Sequence, residues 1–156
     1  MRYQYIFLLV HSYKVGTDEN CDDIVETKRL GLYSCKKAAI HAQERFKVLA
    51  GFRDHPNDFF VQKRRIELDD KNTRLLPGVP IFHLRNEWTQ TDYDIVTDLG
   101  FFIDIASAEE TINQLISQKK RRKDFLNIRD NYVIGEFILD VDNSFWTDGF
   151  LDGNIN

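Results

Sequence analysis

Four short segments recur, in the same order, in the two halves of the chain. Ile6-Phe7-Leu8-Leu9-Val10-His11-Ser12-Tyr13 aligns with Ile81-Phe82-His83-Leu84-Arg85-Asn86-Glu87-Trp88, and Leu30-Gly31-Leu32-Tyr33 with Leu99-Gly100-Phe101-Phe102. Phe52-Arg53-Asp54 aligns with Ile128-Arg129-Asp130, and Ile66-Glu67-Leu68-Asp69 with Phe137-Ile138-Leu139-Asp140. The offsets are 75, 69, 76 and 71, a drift that loop insertions explain. A chain built this way repeats one supersecondary unit. Each copy reads strand, strand, helix, strand. The expected fold is therefore α+β: two β-β-α-β repeats with internal pseudo-symmetry, in an antiparallel or mixed sheet covered by helices. The expected boundaries are 1–72 for the first repeat, 73–79 for a linker, 80–142 for the second repeat and 143–156 for an aromatic and acidic tail. Pro77-Gly78 marks a turn in the linker.

In the first copy, residues 4–13 are apolar and β-prone, and 28–34 form a second strand with Gly31 inside it. Ser34 is placed to cap a helix over 36–49, with Ala39, Ile40, Gln43, Phe46, Lys47 and Ala50 on one side and Gly51 as its stop. A third strand follows over Phe59–Leu68. In the second copy the strands are expected at 80–88 and 97–104. Ser107 and Glu110 make a capping box, Ile112, Leu115 and Ile116 an apolar stripe, and 132–139 the last strand.

With 156 residues, 42% hydrophobic and only three prolines and eight glycines, the chain can bury a core without disulfides or metals. The apolar run from Tyr5 to Val10 is too short for an export signal or a membrane span, so the expected compartment is the cytoplasm, with no membrane partner. Cys21 and Cys35 have neither CxxC spacing nor a histidine cluster, and read as free thiols. The net charge of −4 is uneven. Residues 1–78 carry 14 basic against 11 acidic side chains, and residues 79–156 carry 7 against 14. An acidic surface of that kind attracts basic partners and repels nucleic acid.

The loop Asp18-Glu19-Asn20-Cys21-Asp22-Asp23, with Glu26, holds five acids and no base. It lacks the alternating oxygens, central glycine and terminal glutamate of a calcium loop. It reads as a solvated hairpin or, functionally, as a surface that docks a basic partner. Lys119, Lys120, Arg121, Arg122 and Lys123 form a basic run without interleaved aromatics, which fits a solvated helix end better than a nucleic-acid patch. His11, His41, His55 and His83 show no metal or triad spacing, although His11, Ser12 and Asp54 contain the types of a nucleophile set. No catalytic, cofactor or metal residues are assigned. Gly51 to Pro56 reads as ordinary turn chemistry.

The segments His11-Ser12-Tyr13, Glu26-Thr27-Lys28, Leu30-Gly31-Leu32-Tyr33-Ser34, Gly51-Phe52-Arg53-Asp54-His55-Pro56 and Phe145-Trp146-Thr147-Asp148-Gly149-Phe150 resemble a family of short bacterial proteins. That family's pattern runs HSY, ETK-IG-YSS, a helix, GFRD-P, a strand and WTEGF. In shorter relatives WTEGF follows the single strand; here a second copy stands between Asp70 and the tail. Such proteins resemble the small immunity proteins of bacterial toxin systems, including contact-dependent growth inhibition. The resemblance implies a non-enzymatic protein that occludes the basic cleft of a cognate toxin, a nuclease being the expected kind. The acids expected to face it are Asp18, Glu19, Asp22 and Asp23, and Asp92, Asp94 and Asp98 in the matching loop. Trp88 and Tyr93 are candidate anchors, with Trp146, Asp148 and Phe150 a further set that core packing would also explain. A monomer or weak homo-oligomer is expected. A regulatory or scaffold protein is the alternative, followed by a small enzyme or a nucleic-acid binder.

Overall fold

The computed structural model describes residues 2–69, 74–90, 93–122 and 131–150, with the backbone alone for 88–90, 93–95 and 119–122. The elements run β1 (Arg2–Thr17), β2 (Asp23–Tyr33), α1 (Lys36–Lys47), a 3-10 turn (Phe52–Asp54), β3 (Phe59–Leu68), β4 (Pro80–Gln90), β5 (Tyr93–Phe102), α2 (Ile105–Arg122), β6 (Tyr132–Ile138), β7 (Val141–Asp142) and a second 3-10 turn (Ser144–Trp146). The chain is α+β. Among the described residues its two helices and seven strands include two antiparallel sheets, ordered β3-β1-β2-β7 and β5-β4-β6.

The two long hairpins share an irregularity. In β1–β2, Leu9 pairs with Gly31 and Val10 with Arg29, which leaves Leu30 as the extra residue of a bulge. In β4–β5, Leu84 pairs with Gly100 and Arg85 with Asp98, which leaves Leu99 in the same place. A bulge adds local twist and re-aims the side chains beyond it. Both strands that follow α1 and α2 return to a sheet edge.

The chain divides into two compact units. The first comprises Tyr5–Arg64, Leu75–Val79 and Ile138–Asn156. Its core gathers Leu9, Leu30, Tyr33, Ala39, Ala42, Phe46, Phe52, Phe59 and Phe150. In β1, successive residues from Leu8 to His11 are all buried, the pattern of a strand covered on both faces. Helix α1 offers Ala39, Ala42 and Phe46, spaced one and two turns apart, and its small alanines let it lie close to the sheet. The second unit comprises Met1–Gln4, Arg65–Arg74 and Pro80–Phe137. There Ile81, Leu84, Phe101, Ala108, Ile112 and Phe137 are buried. His83 lies among them, stacked on Phe101 at 4.5 Å and with Nε2 3.0 Å from Asp98 Oδ1.

Several local expectations are corrected. The residue capping α1 is Cys35, not Ser34, and its side chain makes no capping bond. The helix ends at Lys47 rather than Leu49, because the chain tightens there: the Leu49 amide donates back three residues to the Phe46 carbonyl at 3.0 Å. Gly51 (φ 81°) then opens the 3-10 turn instead of closing the helix. Ile40, expected on the apolar face, is 41% exposed, and Ala42 takes that place. The capping box at Ser107 gives way to Asp104, whose Oδ1 accepts from the Ser107 amide at 2.7 Å, so α2 starts three residues earlier. The second strand of each hairpin begins earlier than expected, at Asp23 and Tyr93, because residues 23–27 and 93–96 carry their apolar residues as adjacent pairs, Ile24-Val25 and Ile95-Val96, and not in alternation.

Candidate functional site

The tip of the β1–β2 hairpin is a tight turn built by Asp18. Its Oδ1 accepts from the Asn20 and Asp22 amides, both at 2.9 Å, while its amide donates to the Asp22 carbonyl at 2.9 Å and its carbonyl accepts from the Cys21 amide at 3.1 Å. Cys21 adopts φ 65° to close the turn. A carboxylate that bonds its own backbone two residues on is a standard way to fix such a loop. Asp18 is thus engaged in the turn. Glu19 and Asp22 project into solvent, and Asp23 pairs with Lys14 at 2.9 Å, both side chains more than half exposed.

Behind the tip, several of the motif-bearing segments come together. His11 of β1 is fully buried. Phe59, Phe52, Tyr13 and Phe150 surround its ring at centroid distances of 4.7, 5.0, 5.5 and 5.7 Å. Its Nε2 donates to the His55 carbonyl at 3.0 Å, and since a carbonyl only accepts, Nε2 carries the proton. Nδ1 is buried without a hydrogen-bond partner among the described residues. Burial lowers the His11 pKa below the ordinary histidine value; the His55 carbonyl and Asp58 oppose the shift, and the positive charge of Lys28 and the His55 ring add to it.

Lys28 of β2 is 2% exposed. Its ammonium lies 3.9 Å from the Phe150 ring centre, 4.9 Å from that of Tyr13 and 5.6 Å from that of Trp146, and 2.8 Å from Glu26 Oε1. Aromatic faces attract a cation more strongly where water is excluded. The alternating strand pattern conceals this burial, because Lys28 stands between the exposed Thr27 and the half-buried Arg29.

The C-terminal segment completes this cluster. The Asp140 amide donates to the Leu32 carbonyl at 2.9 Å, the Asn143 amide to the Leu30 carbonyl at 2.7 Å, and the Phe150 amide to the Ala50 carbonyl at 2.8 Å. Asp142 accepts from Tyr33 Oη at 2.6 Å and from both Arg45 Nε and Nη2, at 2.9 and 2.7 Å. Burial raises the pKa of Tyr33, as does Asp142 beside it. For Asp142, burial pushes upward, but the bonds from Arg45 and Tyr33 outweigh it and hold the carboxyl below its usual range.

Of the other expected site residues, Phe150 is core, Trp146 packs partly buried against it, and Asp148 is exposed. Asp98 accepts from the Gly100 amide at 3.1 Å within the second bulge. Trp88, Tyr93 and Asp94 lie in β4 and β5 with only their backbone described, and Asp92 lies outside the described residues, as do Lys123 and the Ile128-Arg129-Asp130 match. Ser12 Oγ is 3.0 Å from Thr27 Oγ1 and His11 Nε2 is on a carbonyl, so the imagined Ser12–His11 pairing does not form. In the tail, Phe145 is 76% exposed and edge-on to Trp146 at 4.6 Å, with its amide bonded to Asn143 Oδ1. The second unit has an open groove of about 710 Å³ lined by Arg65, Glu67, Asp69, Phe102, Asp104 and Glu110, among others. No helix is long and apolar enough to cross a membrane among the described residues.

No protein family, curated protein or solved structure matches the chain.

Proposed function

We propose that this chain is an immunity protein that binds a cognate bacterial toxin, a nuclease being the expected kind, and neutralises it by covering its basic active-site cleft. The observation that carries the reading is the fixed acidic tip: Asp18 locks the turn, and Glu19 and Asp22 point into solvent from it. A preorganised tip loses little conformational freedom on binding, and clustered acids steer a basic partner over long range. Phe145 adds a held, exposed aromatic of the kind that anchors interfaces. The resemblance of the segments around His11, Lys28, Phe52 and Trp146 to a family akin to immunity proteins supports the same reading.

We also read the chain as a duplication of one β-β-α-β unit. The matching bulges at Leu30 and Leu99 support this, because they fall at the aligned Leu-Gly pairs and keep the same register on both sides. The second copy then stands between β3 and the tail that completes the first unit.

Co-expression with the product of the reading frame directly upstream tests the functional reading. Stoichiometric co-purification and rescue of growth from that product are expected. A harmless upstream product that does not bind would overturn it.

A further inference from the structure

We propose that His11 is an acid-sensitive latch for the C-terminal segment: neutral, it seats Phe150 over the interior it shares with Lys28, and its protonation unseats Phe150 while the sheet stays folded. Phe150 is the common wall of two sites, 5.7 Å from the His11 ring and 3.9 Å from the Lys28 ammonium. Lys28 already brings one positive charge into this interior, offset by Glu26 and by aromatic faces. Each element packed on His11 supplies known charges. β2 brings Lys28 with Glu26, the segment after the 3-10 turn brings His55 and Asp58, and Phe52, Phe59 and Phe150 bring only rings. Among the described residues, Asp58 is the acid whose charge opposes the lowering at His11, and its carboxylate lies 3.8 Å from His55 Nδ1.

A proton arriving on His11 enters at Nδ1, since Nε2 is already protonated and bonded. It makes a second cation beside Lys28 and leaves a buried N–H donor without an acceptor. Such a group is costly to keep from water. Phe150 and Tyr13 each lie against both cations, but Tyr13 is fixed within β1 opposite Glu26, so Phe150, beyond the last paired strand, is the ring whose displacement hydrates both. Among the described residues, Phe150 is held by its amide bond to Ala50, by the packing of its ring and by the Lys28 ammonium over that ring. The Asp142 contacts with Tyr33 and Arg45 lie eight residues earlier and do not involve His11, so β7 remains paired.

The sign follows from the lowered pKa. The open state takes up a proton at ordinary histidine pH, about 6.5, while the closed state does not. Closure is complete above that pH and is lost as pH falls through it, with the opening constant rising about tenfold per pH unit until the closed state also titrates.

The experiment follows the Phe150 amide by hydrogen exchange, corrected for intrinsic rate, from pH 7.5 to 5.0. It is run together with the emission of Trp146 in a Trp88→Phe background and with far-ultraviolet circular dichroism. We expect the Phe150 opening constant to rise about tenfold per unit below pH 6.5, Trp146 to become accessible to quencher, and circular dichroism to stay constant. The rise is expected to vanish in His11→Gln and persist in His41→Gln. Should His11→Gln not fold, the nuclear magnetic resonance titration of His11 in the unaltered protein decides: titration together with Phe150 opening supports the latch, and titration without opening overturns it. A pH-independent opening constant, an unchanged rise in His11→Gln, or loss of circular dichroism in step with opening would each overturn it as well.

Discussion

Tyr33 Oη donates a 2.6 Å hydrogen bond to Asp142 Oδ1 across 109 residues of chain. The phenol is 1% exposed, so the bond to a carboxylate is made where water does not compete. Tyr33→Phe is expected to cost about 1.5–3 kcal/mol, the range for a hydrogen bond to a charged group. Arg45→Ala should cost less, under about 1 kcal/mol, because that guanidinium side chain is 55% exposed. Urea unfolding of the two variants checks the order. An Arg45 variant less stable than the Tyr33 variant would contradict it.

The same carboxylate sets an acid limit distinct from that of His11. Asp142 is held below its usual range, so in the unfolded chain it binds a proton first as pH falls. Its contribution is complete above the ordinary carboxyl value of about 3.9 and is lost as pH drops through and below it. Equilibrium unfolding of Asp142→Asn should therefore depend less on pH below about 4 than that of the unaltered protein, and should match its slope above about 5. An unchanged slope below pH 4 would show that the Arg45 and Tyr33 contacts do not stabilise the ionised form.

Gly51 and Gly149 lie where the tail meets the turn after α1. Each has φ 81°, and a Cβ on Gly51 would collide with the Phe150 carbonyl, one on Gly149 with the Ala50 carbonyl. The left-handed backbone alone costs a side chain about 1–2 kcal/mol, and the collisions are with backbone that cannot swing aside. Both alanine variants are expected to lose more than that, in contrast to Gly16→Ala, whose Cβ meets nothing within 4 Å. Thermal unfolding of the three compares them directly. Equal melting temperatures would contradict the close approach.

Lys28 and Glu26 should respond unequally. Lys28→Met keeps most of the side-chain length and removes the buried charge, and replacing buried charged groups by well-packed apolar ones is often close to neutral. Glu26→Gln keeps the charge in place and removes its anion, and leaving a buried charge less compensated is the more damaging change. The glutamate side chain is 48% exposed, so water limits its loss to about 1–3 kcal/mol. If Lys28→Met proves the less stable variant, the ammonium itself holds the aromatic cluster together.

The sequence made the hairpins and helices legible because apolar runs such as Ile6 to Val10 and the aligned Leu-Gly pairs carry their own period. It concealed the early parts of β2 and β5, residues 23–27 and 93–96, where Ile24-Val25 and Ile95-Val96 stand as adjacent apolar pairs without alternation. The acids of the first loop were visible as a cluster, but the turn-forming task of Asp18 depends on backbone amides that composition does not reveal. The tail was marked by its aromatics, yet its contacts with Tyr33, Leu30 and Ala50 span about a hundred residues and leave no local pattern. The burial of His11 and Lys28 was hidden for the same reason, although both stood in the segments that the family resemblance singled out.

The most direct test is the salt dependence of binding between this protein and the upstream gene product, measured as association rates at two salt concentrations for the unaltered chain and for Asp22→Lys with Asp23→Lys. The account predicts that salt slows association more than it speeds dissociation. It also predicts that the charge-reversed chain associates about tenfold or more slowly and no longer protects cells, while charge reversal of Lys119 to Lys123 changes little. Full protection and unchanged kinetics in the Asp22 and Asp23 variant would contradict the acidic tip as the toxin-facing surface.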